Sequence, residues 1–349
     1  MAEQMAVLQQ LLLATLDPRP SVRQAAEQQL TAARQTDLGQ FVGSMAALIA
    51  LDQPLPGPQG APGSPEDLLI AKQIAAVTFK NSISAKDLTL DGAAAEAWRA
   101  LPNETKADIK KQLLAALHTD CIQVGNAVCQ VLAKLGVIEL RSMEFEGLLP
   151  ALQEMVQQAV SCQQQQQQQQ QLLKACGRHA LTCLAYLCEE LADIVSEGED
   201  PSEVFSEQRC NVVLTAVLLG LKDPDPQLKV AALRALYHAL VFAKGNFNKK
   251  VLSTSDIFEN TFARKIVQRL QPDCWGLLQK QRFREERDYI INSVVEAGDA
   301  TNPSAVQVAA FDCIVQISQE YYSLLEAYMP AMGPVRRECS RGWRQLHLF

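Results

Sequence analysis

The chain has few aromatic residues, 6%, and few alternating apolar stretches of strand type. Its apolar residues are mostly Leu and Ala, which favours helices over sheets. Histidine is scarce: His118, His179, His238 and His347 are the four present. None lies near another, or near a Cys, Asp or Glu set at metal-ligand spacing, so no metal site is expected. His179 and His238 read as partly buried helix residues. The ten cysteines include no Cys-x-x-Cys pair. Cys176, Cys183, Cys188 and Cys313 have helical spacing, as expected of reduced core residues in an intracellular protein. Gly-x-Ser-x-Gly, a phosphate loop and a dinucleotide fingerprint are all missing. Glu189-Glu190 reads as an exposed helix end, not an acid–base pair. The expectation is a non-enzyme without cofactors. A positive charge excess is also missing. The formal net charge is -7, which argues against direct nucleic-acid binding. The Leu11–Leu13 run is too short to span a membrane, and the start Met-Ala-Glu-Gln-Met lacks a basic flank. A soluble protein of the cytoplasm or nucleus is expected, without membrane contact.

What is present is repetition. Asp17-Pro18-Arg19-Pro20-Ser21-Val22-Arg23-Gln24-Ala25-Ala26 recurs as Asp223-Pro224-Asp225-Pro226-Gln227-Leu228-Lys229-Val230-Ala231-Ala232. A weaker third copy is Thr301-Asn302-Pro303-Ser304-Ala305-Val306-Gln307-Val308-Ala309-Ala310. The prolines end one helix and fit the first turn of the next. Asp17 and Asp223 are expected to cap free amides. The Ala-Ala pair removes bulk where two helices approach. Alanine-rich helix starts at periods of roughly 40 to 47 residues fit the HEAT/armadillo class. The expected fold is all-α, a HEAT-repeat α-solenoid with a right-handed superhelix of about six antiparallel helix pairs.

The pairs are expected at 3–34, 37–84, 93–136, 145–191, 204–245 and 284–328. A Pro/Gly linker at 54–65 interrupts the second pair. In the third pair, Trp98 and Leu101 belong to the first helix and Val128, Leu132 and Leu135 to the second. Nine consecutive glutamines, Gln163–Gln171, read as an expansion in a tolerant inter-helix loop. Residues 189–207 hold eight acids and no Lys or Arg; a solvated inter-repeat loop is expected there rather than a docking site for basic ligands. Residues 251–283 fit the repeat poorly and read as an insert. The 331–349 tail has no apolar period and ends without a polar capping helix, so the array reads as cut off.

Several segments resemble the importin subunit beta (karyopherin beta) family. They are Phe79-Lys80-Asn81-Ser82-Ile83-Ser84-Ala85-Lys86-Asp87, Leu135-Gly136-Val137-Ile138-Glu139, Leu148-Leu149-Pro150-Ala151-Leu152 and Ala180–Leu191. The longest is Leu228–Leu236 continued by Val241–Phe247, followed by Ala309–Ile314 with Tyr321-Tyr322 and Tyr328-Met329. The resemblance covers about residues 1 to 330, in order. It implies a HEAT superhelix that carries cargo into the nucleus. N-terminal repeats of the family bind Ran-GTP, outer hollows bind Phe-Gly repeats of nucleoporins, and later repeats hold the basic segment of the importin alpha adaptor. This chain resembles about the first six repeats, so most of the adaptor and cargo surface is not implied. A HEAT scaffold of another kind is the alternative reading.

The resemblance also implies sites. The Phe-Gly hollow of the family lies between the first helices of the fifth and sixth repeats. It maps onto Leu214, Thr215 and Leu218, and onto Glu286, Tyr289 and Ile290. A shallow apolar slot accepts a Phe ring, and flanking polar groups hold the backbone. From spacing alone, Leu214, Leu218 and Ile290 read rather as ordinary inter-repeat core, and the 251–283 insert blocks the slot if it packs over Leu214 and Tyr289. For Ran, the implied candidates are Lys72, Lys80, Asn81 and Lys86; Lys80 and Asn81 also read as ties between adjacent repeats.

Overall fold

A computed structural model of the chain describes residues 2–55, 63–84, 88–140, 145–162, 167–244, 247 and 286–321. Among these residues there are helices and turns and no strand. The chain divides into two compact units, Met1–Glu144 and Phe145–Phe349. The 251–283 insert, the 331–349 tail, the middle of the 54–65 linker and the start of the glutamine tract lie outside the described residues.

The first unit holds α1 (Ala2–Ala14), α2 (Pro20–Thr36), α3 (Leu38–Ile49), α4 (Pro65–Ile83), α5 (Leu88–Arg99), α6 (Asn103–Ala115) and α7 (Ile122–Leu140). Proline sits at the first position of α2 and α4, where its missing N–H costs nothing. Asp37 caps α3 by accepting from the Gln40 amide at 2.9 Å. Helix α3 packs on α4 and α6, and α4 packs on α7, so two pairs stack with like against like. The first pair departs from this pattern: α1 packs mainly on α4, and α2 on α1 and α3. Helix α2 buries only Ala26 and Leu30 of its described side chains, too little apolar surface to form a full inner layer.

Two helices, α5 and α6, stand where one was expected. Pro102 forces the break; Leu101 falls in the turn, while Trp98 stays in α5. Trp98 is fully buried, and its indole Nε1 donates to Glu139 Oε1 on α7 at 2.7 Å. Lys110 Nζ on α6 donates to Glu139 Oε2, also at 2.7 Å. The buried carboxylate therefore fastens three helices to one another, as a buried charge requires.

The second unit holds α8 (Leu148–Ser161), α9 (Gln167–Ser196), α10 (Pro201–Val204), α11 (Glu207–Lys222), α12 (Pro226–Ala239), a 3₁₀ turn at Leu240–Phe242, α13 (Glu286–Ala297) and α14 (Ser304–Tyr321). Its stacking is regular. Helices α8, α11 and α13 follow one another in one layer, and α9, α12 and α14 in the other; α8–α9, α11–α12 and α13–α14 pair across the layers. The layers approach where a side chain is missing. A Cβ on Gly177 would fall 2.4 Å from the Ala159 Cβ, and one on Gly220 would fall 3.0 Å from the Ala232 Cβ.

The recurring proline motif has a second use here. Lys174 on α9 pairs with the buried carboxylate of Asp223 in the next turn along. One pair further, Lys229 Nζ on α12 donates to Asn302 Oδ1 at 3.0 Å. Helix caps fall one step away from the expectation. Asp225, not Asp223, caps α12 by accepting from the Gln227 amide at 2.8 Å. Asp17 accepts from the amide and guanidinium of Arg19, ahead of α2, and does not cap that helix. The glutamine tract is not wholly a loop. Gln167–Gln171 form the first turn of α9, because glutamine is a good helix former.

Candidate binding surfaces

Helix α11 is the middle member of its layer and is buried on nearly every side, from Cys210 to Leu221. Leu214, Leu218 and Lys222 follow at intervals of four, on one stripe. Leu214 and Leu218 have 0% and 1% exposure, and Ile290 on α13 has 0%. Tyr289 is buried, with 8% exposure. Thr215 is buried, and its hydroxyl donates to the Asn211 carbonyl at 2.6 Å, so its donor is spent within the helix. Glu286 opens α13, and its side chain lies outside the described residues. Helices α11 and α13 pack side by side. The two halves of the expected slot are therefore neighbours, but the apolar residues form a closed seam rather than an open hollow.

Over that seam lies a residue that sequence reasoning did not single out. Lys222 Nζ sits 5.4 Å from the centroid of the Tyr289 ring, within cation–π range. The same ammonium donates to Glu296 Oε2 at 3.3 Å. A spacing of four after Leu218 was the available clue.

The second set of candidates lies on α4. Lys80 Nζ donates to Gln130 Oε1 on α7 at 3.2 Å, a tie between stacked pairs. Lys72 is half-buried, and burial pulls its ammonium below the usual lysine range, with Asp52 and Cys121 opposing the shift. Asn81 is exposed. Lys86 lies outside the described residues. Asn81 shares an exposed stripe of α4 with Leu69 and Val77, which are 39% and 46% exposed. Both apolar residues escaped the sequence reading, which weighted charge.

Among the described residues, no group of His, Cys, Asp and Glu could hold a metal ion. No described helix is long and apolar enough to cross a membrane.

A family model for the importin-beta N-terminal domain matches residues 64–119, which span α4, α5 and α6. Importin subunit beta-1 of Schizosaccharomyces pombe is 28% identical over 322 residues, 92% of this chain and 29% of that protein. The chain is thus similar to importin beta proteins over most of its own length. Two solved structures carry the same fold, each with a TM-score of 0.65 and each covering 93% of this chain and 30% of its own. One is the Kap95:Nup1 complex, at 24% identity. The other, at 25%, concerns Kap95p and the switch loops of RanGDP. The fold is thus that of the importin-beta HEAT-repeat solenoids. The chain spans less than a third of the length of these relatives. Within the family match, the 64–119 segment includes Lys72, Lys80, Asn81 and Lys86, whereas the α11–α13 seam lies further along the chain.

Proposed function

We propose that this chain is a nuclear import receptor, or the N-terminal part of one, that works by reversible binding between cytoplasm and nucleus at the nuclear pore. The observation that carries the reading is its relationship to importin subunit beta-1 across 92% of its own length. Members of that family are transport receptors, not enzymes, and the two helix layers offer extended faces suited to the task. The partners proposed are Ran-GTP and Phe-Gly nucleoporins, in line with Kap95 structures that involve Nup1 and Ran. Importin alpha and its cargo are assigned by the resemblance to later repeats, so these helices are given no adaptor site.

Ran is placed at Lys72, Lys80 and Asn81 of α4, with Lys86 following that helix in the sequence. Phe-Gly segments are placed at the seam of Leu214, Thr215 and Leu218 with Glu286, Tyr289 and Ile290. A seam this well closed must part to admit a ring. Each engagement is then weak and brief, and retention comes from many dipeptides acting together.

Two measurements test the reading. Ran loaded with a GTP analogue should retain the chain at least tenfold better than Ran-GDP. A Phe-Gly peptide carrying benzoylphenylalanine in place of one Phe should photo-crosslink within residues 214–218 or 286–290. Equal retention by both nucleotide forms, together with crosslinks scattered elsewhere, favours the alternative, a HEAT scaffold without a transport role.

A further inference from the structure

The Lys222 contact spans the seam. Three observations converge on it. Lys222 lies on the stripe of Leu214 and Leu218, one turn beyond Leu218 at the end of α11. Its ammonium covers the Tyr289 ring from 5.4 Å. Glu296, on the last turn of α13, holds the same ammonium at 3.3 Å. The contact therefore bridges the two helices that must separate, on the solvent side of an apolar floor.

We propose that Lys222 and Glu296 form a latch over the seam, which an entering Phe ring must displace from Tyr289. This rests on the reading of the seam as the Phe-Gly site. The latch is weak by construction. Lys222 and Glu296 are 37% and 58% exposed at their side chains, so water and salt screen the pair. A weak latch suits a site that must open and close quickly. It also sets a threshold. A ring that fills the seam replaces the stem and charge of Lys222 with apolar contact, whereas a small or polar side chain displaces the ammonium and gains nothing in return. Lys222 is then a threshold residue that lowers the affinity of every Phe-Gly segment by the cost of displacing it.

The test uses the full chain and a peptide of several Phe-Gly dipeptides, followed by fluorescence anisotropy. Lys222→Met keeps the stem and removes the charge; Glu296→Gln keeps the shape and loosens the tie. Lys222→Met should bind the peptide about three- to tenfold tighter, and Glu296→Gln should fall between it and the parent. The gap between parent and Lys222→Met should narrow as ionic strength rises from about 0.05 to about 0.5 M, since salt undoes the latch. A control peptide with every Phe replaced by Ser should gain affinity for Lys222→Met less than the Phe-Gly peptide does. Equal or weaker binding by Lys222→Met overturns the latch. The benzoylphenylalanine peptide separates the two ideas. Crosslinks in the seam with unchanged affinities sink the latch alone, and crosslinks elsewhere in parent and variant alike sink the seam reading itself.

Discussion

Glu139 shows at the scale of one residue how this chain uses a buried charge. Its carboxylate has no exposure, and it accepts from Trp98 Nε1 and from Lys110 Nζ at 2.7 Å each. Glu139→Ala removes an acceptor from a fully buried indole N–H and a counter-charge from Lys110. A loss of about 3 kcal/mol in urea unfolding is expected. Glu139→Gln retains an acceptor for Trp98 and should lose roughly half as much. Equal losses would mean that the charge does nothing. The cysteines give a second expectation. Burial pushes the Cys176 thiol up to about 11, and burial with the neighbouring Cys183 pushes Cys188 up to about 12. A raised thiol is protonated at pH 8, and the thiolate is the reactive form. In the native protein at that pH, iodoacetamide should label Cys121, which is partly exposed, well before Cys176 or Cys188, as read by peptide mass spectrometry. Comparable labelling of all three would contradict the packing around α9. Trp98 was legible as a residue of the third pair's first helix. Its partner was not, because Glu139 stands 41 positions away, where no helical spacing reaches.

The element scale explains which parts could be read and which could not. Helix starts were visible where the recurring proline motif marks them, at α2 and α12, whereas α10 opens on Pro201 inside a stretch expected to be a loop. The α5–α6 break was visible only as Pro102, and helical periodicity on either side masked it. Asp223 looked like a cap by spacing, yet it is drawn into the pair with Lys174, and Asp225 caps instead. Local pattern cannot foresee a partner supplied by another repeat. The apolar character of Leu214, Leu218 and Ile290 was legible in the sequence, but their depth depends on how α11 and α13 are surrounded. A glycine contact gives the test at this scale. Gly177→Ala would gain about 1 kcal/mol of helix propensity in isolation. Here the new methyl meets the Ala159 Cβ at 2.4 Å, a contact between two rigid backbones' first carbons. A net destabilisation of about 1–3 kcal/mol is expected from thermal unfolding. Adding Ala159→Gly should recover most of it, because the two opposite propensity changes nearly cancel once the clash is gone. Failure of the double variant to recover would mean that α8 and α9 are not held this close.

A stack of pairs distributes stability differently from a globule. In the second unit each pair is fastened mainly to the next, through α8–α11 and α9–α12, then α11–α13 and α12–α14. Long-range ties follow the same order: Lys174 to Asp223, then Lys229 to Asn302, then Tyr321 Oη to the Leu240 carbonyl at 2.5 Å. Nearest-neighbour coupling predicts that a defect fades with distance along the stack. Gly177→Ala, placed at the α8–α9 contact, therefore serves as a probe of the whole unit. Native-state hydrogen exchange should show the largest loss of protection in α8 and α9 and a smaller loss in α11 and α12. The amides of α13 and α14 should change least, because their own contacts with α11 and α12 stay intact. A uniform loss across all six helices would mean that the unit opens as one cooperative body. The faces needed for binding could then not loosen independently, and the seam between α11 and α13 would open only with global unfolding. A graded loss leaves that seam free to part on its own, as the proposed short-lived engagement of aromatic dipeptides requires.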